Sequence, residues 1–358
     1  MRAYNFSAGP AILPEEVLKQ AQTELVDYQG TGMSIMEMSH RGKEYSAIHD
    51  ETIANIKELL NIPEGYSVLF LTGGASTQFA LIPMNLLGAD QTADYTNSGA
   101  WAKKAIQEAK LLGGNVNIAA DCGKEIPTRV PTVDELKLTP GAAYLHITSN
   151  ETISGAQWKI FPEHDCLVAD MSSDILSKPL DVSKFGLIYA GSQKNLAPAG
   201  ITLVIIKDEL AERCPETVPT MLRYKTHIAE NSLYNTVPTF PVYMLCLVTR
   251  WLKAKGGLEG MAKINAEKAG KLYAAIDASD FYKGTAVKEF RSDMNVTWRL
   301  PTEELEAQFI AEASKQNLKT LKGHRSVGGI RASIYNAFPM EGVDALISFM
   351  AAFEAKNG

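Results

Sequence analysis

The chain of 358 residues is poor in cysteine, has no excess of basic side chains and contains no long apolar run. Its four cysteines lie far apart, the closest pair being Cys214 and Cys246, so a Cys-x-x-Cys clip is excluded and a disulfide framework is disfavoured. The formal net charge of -6, from 35 basic and 41 acidic residues, is not that of a dedicated nucleic-acid-binding protein. We therefore expect no metal site and no nucleic-acid partner.

The apolar segments are too short to form a membrane-spanning helix. The most apolar windows, residues 201–206 and 242–248, fall well below the roughly 20 residues that cross a bilayer. The first ten residues do not combine a basic start with an apolar run, so they do not resemble a secretory signal. We expect no membrane partner and a location in a reducing cytoplasm.

Short apolar runs alternate with helical patterns over the first two thirds of the chain. Because these runs are continuously apolar, they predict strands that are covered on both faces, as in an α/β fold with a doubly wound, mainly parallel sheet. The predicted strands are 66–71, 93–96, 116–119, 143–148, 166–171, 187–190 and 201–206. Long helices and two further strands after residue 242 predict a smaller α+β unit. We place a large domain at 15–260 and a small domain at 1–14 with 261–358.

Ligands of such sheets bind beyond the carboxyl ends of the strands, and Lys194 and Asp170 both occupy such ends. A lysine at the end of a buried strand is desolvated, which favours the neutral amine that forms a Schiff base. Pyridoxal 5'-phosphate (PLP) needs such a lysine, and an acid against its pyridine nitrogen. Taken singly, each residue also fits an ordinary role, as a surface-loop lysine or an ion-paired aspartate.

Three further strand ends carry residues that suit the same cofactor. The Gly73-Gly74 turn precedes a helical pattern, whose first N–H groups would attract a phosphate, although it matches neither the P-loop nor the nicotinamide fingerprint. Trp101 could lie flat against a ring, and Thr152 could donate to a ring hydroxyl. An ordinary turn, a core tryptophan and a turn threonine are the alternative interpretations.

Two His-Arg pairs lie beside glycines, at His40-Arg41 and at His324-Arg325, and Arg331 follows the second pair. Planar guanidinium groups bind carboxylate and phosphate in two-pronged fashion, and the glycines allow an anion to approach the backbone. The pairs therefore favour a substrate with two anionic groups. A solvated basic loop would explain either pair alone.

An ordered series of motifs along the whole chain resembles the phosphoserine aminotransferase family of fold-type I PLP enzymes. The motifs are NFSAGP (5–10), MSHRGK (38–43), GGASTQF (73–79), NSGAW (97–101), NETI (150–153), ADMSS (169–173), GSQKN (191–195), YNT (234–236) and GHRSVGGIRAS (323–333). The resemblance implies that Lys194 holds PLP as a Schiff base, that Asp170 pairs with the pyridine nitrogen, that Trp101 stacks on the ring and that Thr152 contacts the ring hydroxyl. The residues implied to bind the cofactor phosphate are Ala75, Ser76 and Gln193, with Asn235 and Thr236 from a second subunit.

The family's homodimer would then form part of each active site. Arg331 matches the arginine that binds the substrate α-carboxylate. The residues matching the set that receives the side-chain phosphate or carboxylate are His40, Arg41, His324 and Arg325. The implied reaction is the reversible transfer of the amino group of L-glutamate to 3-phosphooxypyruvate, giving O-phospho-L-serine and 2-oxoglutarate in L-serine biosynthesis. Whether 4-phosphooxy-L-threonine, of pyridoxine biosynthesis, is also a substrate stays open.

The sequence departs from some relatives at Ser76, where they carry an arginine that assists the substrate side chain, and also at Ala8 and Val237. Other reactions on the same fold remain as alternatives, such as those of alanine:glyoxylate aminotransferase or cysteine desulfurase. A desulfurase needs an activated cysteine, and neither Cys214 nor Cys246 has an activating context. An alternative of another class is a non-catalytic PLP-binding regulatory protein, which the retained Lys194 disfavours.

Overall fold

The computed structural model describes residues 2–122 and 127–358. Its helices are α1 (Glu15–Glu24), α2 (Lys43–Leu59), α3 (Gly74–Leu86), α4 (Ala100–Leu111), α5 (Asp208–Ala211), α6 (Tyr224–Ala229), α7 (Thr239–Ala254), α8 (Gly257–Asp277), α9 (Glu303–Lys315) and α10 (Met340–Asn357). Its strands are β1 (Tyr4–Asn5), β2 (Tyr66–Leu71), β3 (Thr92–Asn97), β4 (Asn115–Asp121), β5 (Leu145–Thr148), β6 (Asn150–Glu151), β7 (Ala156–Gln157), β8 (Leu167–Asp170), β9 (Leu187–Gly191), β10 (Thr202–Lys207), β11 (Lys283–Gly284), β12 (Asn295–Arg299), β13 (Leu318–Lys319) and β14 (Ile330–Ser333). No described helix is long and apolar enough to cross a membrane.

A seven-stranded sheet in the order β2-β10-β9-β8-β5-β3-β4 forms the centre of the molecule. Only β10 runs antiparallel to its neighbours, and the pairs from β9 to β4 are parallel. Each predicted strand is present, with its ends shifted by no more than a few residues. The predicted α/β fold with a doubly wound, mainly parallel sheet is confirmed.

The continuous apolarity of the strands follows from helices on both faces of this sheet. Successive residues of β8 point to opposite sides, so Val168 packs in the core beneath α3 and α4, and Ala169 packs in the core beneath α2 and α7. Phe79 of α3 and Val242 of α7 are examples of the helical side chains that close these two cores. Burial on both faces removes the polar alternation that a half-exposed strand would show.

The C-terminal part of the chain builds a third core around the antiparallel sheet β11-β12-β14. Phe6 and Ile12 join this core from the N-terminal segment, where β1 pairs in parallel with β13. Helix α8 runs through residue 260, where the small domain is predicted to begin. The division into 15–260 and 1–14 with 261–358 stays a prediction.

Candidate active site

Lys194 and Asp170 come from two adjacent parallel strands. Asp170 is the last residue of β8, and Lys194 lies in the turn three residues after β9. Burial lowers the pKa of the Lys194 amine, and the negative charges of Asp170 and Glu151 oppose that effect. Within the described residues no hydrogen bond restrains Lys194 Nζ. The amine is thus both shifted towards its neutral form and unrestrained, which are two properties that a Schiff-base lysine requires.

The Asp170 carboxylate is held in a fixed orientation. Its Oδ1 accepts hydrogen bonds from the Ser172 backbone N–H at 2.9 Å and from Ser172 Oγ at 2.6 Å. Ser172 Oγ in turn accepts from Gly191 N at 3.0 Å, which ties the end of β8 to the end of β9. Burial raises the pKa of Asp170, whereas the charge of Lys194 and the bonds from Ser172 favour the ionised form.

Trp101 forms one wall beside the lysine. It is the second residue of α4, and its Nε1 donates to Thr152 Oγ1 at 2.9 Å. Thr152 lies in the turn that joins β6 to β7 and is almost fully buried. Lys194 Nζ lies 5.0 Å from the centroid of the Trp101 ring. The structure therefore brings the predicted lysine, indole and threonine together.

The first turn of α3 provides donors for an anion. Gly73 precedes it with φ of +88°, a left-handed conformation that glycine adopts without strain. Ala75 and Ser76 lie in this turn, which has neither a capping side chain nor an acidic residue. The first N–H groups of a helix lack partners within the helix, so they are available to a phosphate. Gln193 adjoins Lys194, and its carbonyl oxygen accepts from Ala11 N at 2.9 Å.

Arg331 reaches the same place from the C-terminal sheet. It lies in β14, and its Nη1 donates to the carbonyl oxygen of Thr152 at 3.1 Å. Among the described residues it makes no ion pair, and burial lowers its pKa. His324 and Arg325 lie between β13 and β14. The pKa of His324 is lowered by burial and then by the positive charges of Arg331, Arg325 and Lys104.

The remaining predicted residues form a separate group. His40 and Arg41 precede α2, and Arg41 donates from Nε to His40 Nε2 at 3.2 Å and from Nη2 to the Leu233 carbonyl oxygen at 3.4 Å. Asn235 and Thr236 are exposed in the segment just before α7. No hydrogen bond or ion pair among the described residues links this group to Lys194 or Arg331. Within the same chain, Asn235 lines a cavity together with Thr72 and Thr77, at the start of α3.

Sequence reasoning missed Glu151 and Ser172. Glu151 is 1% exposed, accepts from Ser98 Oγ at 2.9 Å and has its pKa raised to about 7, chiefly by burial. Ser172 orients Asp170. Both residues lie within two positions of a predicted site residue, and this closeness in sequence could have drawn attention to them. Their contacts with Ser98 and Asp170 could not be predicted from the sequence.

Comparison with known proteins agrees with this geometry. A family model described as aminotransferase class-V matches residues 3–346. The chain is 58% identical to the phosphoserine aminotransferase of Herpetosiphon aurantiacus, with 100% of each chain covered. Its structure is similar to that of the phosphoserine aminotransferase from Bacillus circulans subsp. alkalophilus, with 54% identity, a TM-score of 0.97, and 100% and 99% of the two chains covered. The chain belongs to the phosphoserine aminotransferase family.

The predicted family, transaminase chemistry and PLP dependence are thus confirmed. A PLP-bound phosphoserine aminotransferase from Trichomonas vaginalis is similar over 98% of this chain and 100% of that chain, with 41% identity and a TM-score of 0.94. An alanine–glyoxylate aminotransferase from Nostoc sp., at 17% identity and a TM-score of 0.80 over 99% and 96% of the chains, shares the fold alone.

The residues of the structure fit PLP. Lys194 offers an unrestrained amine beside the plane of Trp101, and the oriented carboxylate of Asp170 suits a pyridinium nitrogen. The uncapped first turn of α3 suits the phosphate of the cofactor. Lys194, Asp170 and the first turn of α3 therefore each suit a different group of the cofactor.

Proposed function

We propose that the chain catalyses the reversible transfer of the amino group of L-glutamate to 3-phosphooxypyruvate, giving O-phospho-L-serine and 2-oxoglutarate in L-serine biosynthesis. The observation that carries the proposal is that Lys194 shares its surroundings with Asp170 and with a group of cations around Arg331 that has no acidic partner among the described residues. An acidic amino acid or phosphorylated keto acid would supply the missing negative charge. The relatives named above carry the name of this activity.

Within this proposal, bound PLP supplies an electron sink for the bond broken at the substrate Cα. Lys194 would hold the cofactor through its Nζ, and the same amine would serve as the base that moves the proton at the substrate Cα. Its lowered pKa suits that task, because an ammonium group cannot accept a proton. The oriented carboxylate of Asp170 would favour a proton on the pyridine nitrogen, and Trp101 would pack against the ring.

The cationic side chains of the site orient the substrate. Arg331 binds the α-carboxylate that both amino acids share, and its hydrogen bond to Thr152 places that carboxylate beside the ring site. The residues proposed for the side-chain phosphate or carboxylate are His40, Arg41, His324 and Arg325. One set of donors must therefore accept two anions of different charge.

We further propose that the enzyme is a homodimer whose active sites each use two chains. Ala75, Ser76 and Gln193 bind the cofactor phosphate from one chain, and Asn235 and Thr236 bind it from the other. In support, Arg41 bonds to His40 and Leu233, and among the described residues no hydrogen bond or ion pair links it to Lys194 or Arg331. A cytoplasmic location also stays a prediction, and the free state of the four cysteines is in keeping with it.

The experiment that tests the proposed reaction compares the wild type with Lys194→Ala. Wild-type protein loaded with PLP should lose the absorbance of the lysine-bound cofactor when O-phospho-L-serine is added, and alanine or cysteine should act far less well. Lys194→Ala should lack that absorbance and lose turnover by about three orders of magnitude, because no base remains at Cα. Lys184→Ala, at an exposed lysine, is the control. Substantial transamination by Lys194→Ala would sink the assignment.

A further inference from the structure

Lys104 is a cation at the edge of the site that the proposed mechanism does not use. It lies on α4 one turn after Trp101, and its Nζ is 4.6 Å from the centroid of the Trp101 ring. Lys194 Nζ is 5.0 Å from the same centroid, so two lysines adjoin one indole. The Lys104 side chain is exposed, and among the described residues no carboxylate lies within 4.0 Å of its ammonium group. A contact with an aromatic ring does not neutralise its charge.

A continuous set of contacts connects this ring to the substrate-binding cations. Trp101 donates to Thr152, whose carbonyl oxygen accepts from Arg331. The charge of Lys104 also acts on His324, as do Arg331 and Arg325. Lys104 therefore shares the region of the proposed side-chain site, although it enters from α4 and the other cations enter from the C-terminal sheet.

The positive charges of Lys104, Arg325 and Arg331 have no acidic partner among the described residues, and an anionic substrate can supply one. Like charges that act on one residue also repel one another, and an anion placed among them relieves the repulsion in proportion to its own charge. A phosphate ester carries close to two negative charges at neutral pH, whereas the side-chain carboxylate of glutamate carries one. An additional cation at this position therefore favours the phosphorylated substrate over glutamate.

We propose that Lys104 is a specificity-determining residue that binds the side-chain phosphate of the substrate. It supplies from α4 the positive charge that the neutral Ser76 cannot supply from α3. The inference rests on the proposed function, because it assigns a ligand to the same active site. It adds a residue that the sequence motifs did not single out.

The test uses Lys104→Gln, with Lys103→Gln as the matched control. Both lysines are exposed on α4, and glutamine preserves helix propensity while it removes the charge. Conversion of the bound-cofactor absorbance is followed in single turnovers with phosphoserine and, separately, with glutamate. In Lys104→Gln the apparent Kd for phosphoserine should rise about tenfold and that for glutamate about twofold, as expected for one partly solvated charge. Lys103→Gln should change neither value, and Lys104→Arg should restore most of the phosphoserine affinity.

A second measurement does not depend on turnover. The pKa of His324 is measured in the PLP-loaded enzyme without substrate by NMR of ¹³C-labelled histidine, with His324→Asn to assign the signal. Lys104→Gln should raise this pKa, because one of the positive charges that disfavour imidazolium is gone. Lys103→Gln should leave it unchanged.

The outcomes separate this inference from the proposed function. If wild-type enzyme shows no spectral change with phosphoserine, the proposed function fails and the inference fails with it. If the wild type responds and Lys104→Gln matches Lys103→Gln in both measurements, the inference alone is overturned. An equal loss of affinity for phosphoserine and glutamate would also overturn it, since a general charge effect does not determine specificity.

Discussion

At the scale of single residues, Glu151 links the electrostatics of the site to the position of the indole. It is buried, and its Oε1 accepts from Ser98 Oγ just ahead of α4, whereas its Oε2 has no partner among the described residues. A Cβ on Gly99 would come within 2.5 Å of the carboxyl carbon, so any larger residue there would displace the Glu151 side chain. Glu151 therefore packs directly against the first turn of α4, which carries Trp101.

The pH dependence of stability follows from this burial. The pKa of Glu151 is raised from 4.5 to about 7, chiefly by burial and further by the charge of Asp170, while the hydrogen bond from Ser98 opposes the shift. Between pH 4.5 and 7, Glu151 is therefore protonated in the folded protein and ionised in the unfolded chain. The contribution of Glu151 to the free energy of unfolding therefore falls as the pH rises through this window.

We predict that Glu151→Gln, which does not titrate, gains stability relative to the wild type as the pH rises from 5 to 8. The relative gain should reach up to about 3 kcal/mol, since each unit of pKa shift corresponds to about 1.4 kcal/mol. Urea unfolding of both proteins at equal PLP concentration measures it. Glu135→Gln is the control, because a hydrogen bond from Arg129 lowers the pKa of Glu135 to about 2 and it stays ionised over this range. Parallel pH profiles for Glu151→Gln and wild type would show that the burial argument is wrong.

At the scale of secondary-structure elements, α8 fixes the chain that follows β14. Lys268 of α8 is fully buried and has no acidic partner among the described residues. Its Nζ donates to the carbonyl oxygens of Ile334 at 3.0 Å, Tyr335 at 2.6 Å and Phe338 at 3.1 Å. Within this loop, Asn336 N donates to Oδ1 of Asn195, the residue after Lys194, at 3.0 Å. The side chains of Lys268 and Asn195 thus together connect the end of the Arg331 strand to the lysine turn.

We predict that Lys268→Met lowers the free energy of unfolding by about 2–4 kcal/mol, because several buried carbonyl groups would lose their donor together. Lys271→Met, on the same helix, should cost less than about 1 kcal/mol, since its ion pair with Asp344 is exposed to solvent. Urea denaturation of the three proteins provides the comparison. Equal decreases in the free energy of unfolding of the two variants would mean that the bonds from Lys268 to the carbonyl groups stabilise the fold no more than a surface ion pair does.

At the scale of the whole molecule, the proposed substrate-binding residues fall into two groups. Lys194 and Arg331 belong to one, while Arg41 contacts Leu233 in the other. In the proposed homodimer, a second copy of the chain supplies one of these groups to each active site. Closed twofold symmetry, the commonest arrangement of identical chains, would then generate two equivalent composite sites.

This arrangement predicts complementation between inactive variants. Homodimers of Lys194→Ala and of Arg41→Ala should each have low activity. After equal amounts are unfolded and refolded together, activity should recover to about a quarter of the wild-type level, because half of the dimers are mixed and each has one intact site. Refolding each variant separately is the control. If no activity recovers although mixed dimers form, Arg41 acts within its own chain, and a site that takes Arg41 from the second chain is excluded.

Much of the fold and part of the site could be read from the sequence. The strand β2 was predicted with its observed ends at 66 and 71, because a buried strand between turn residues leaves a continuous apolar run. The run that begins at residue 143 starts two residues before β5, and Ala143 N still donates to Thr92 O of β3 at 2.8 Å. Lys194 and Asp170 were found because parallel strands bring their carboxyl ends to one edge of the sheet.

The order of apolar and polar residues along this chain was thus sufficient to predict the strands and the layered architecture. It also predicted that Lys194 and Asp170 lie at the ends of strands. Only the tertiary structure decided that Glu151 keeps a proton near neutral pH, that Lys268 binds a set of carbonyl groups and that Lys104 acts on His324. The physical reason is that strand formation depends on a local pattern of burial. The charge state and partners of a side chain depend instead on groups that are remote in sequence and adjacent only after folding.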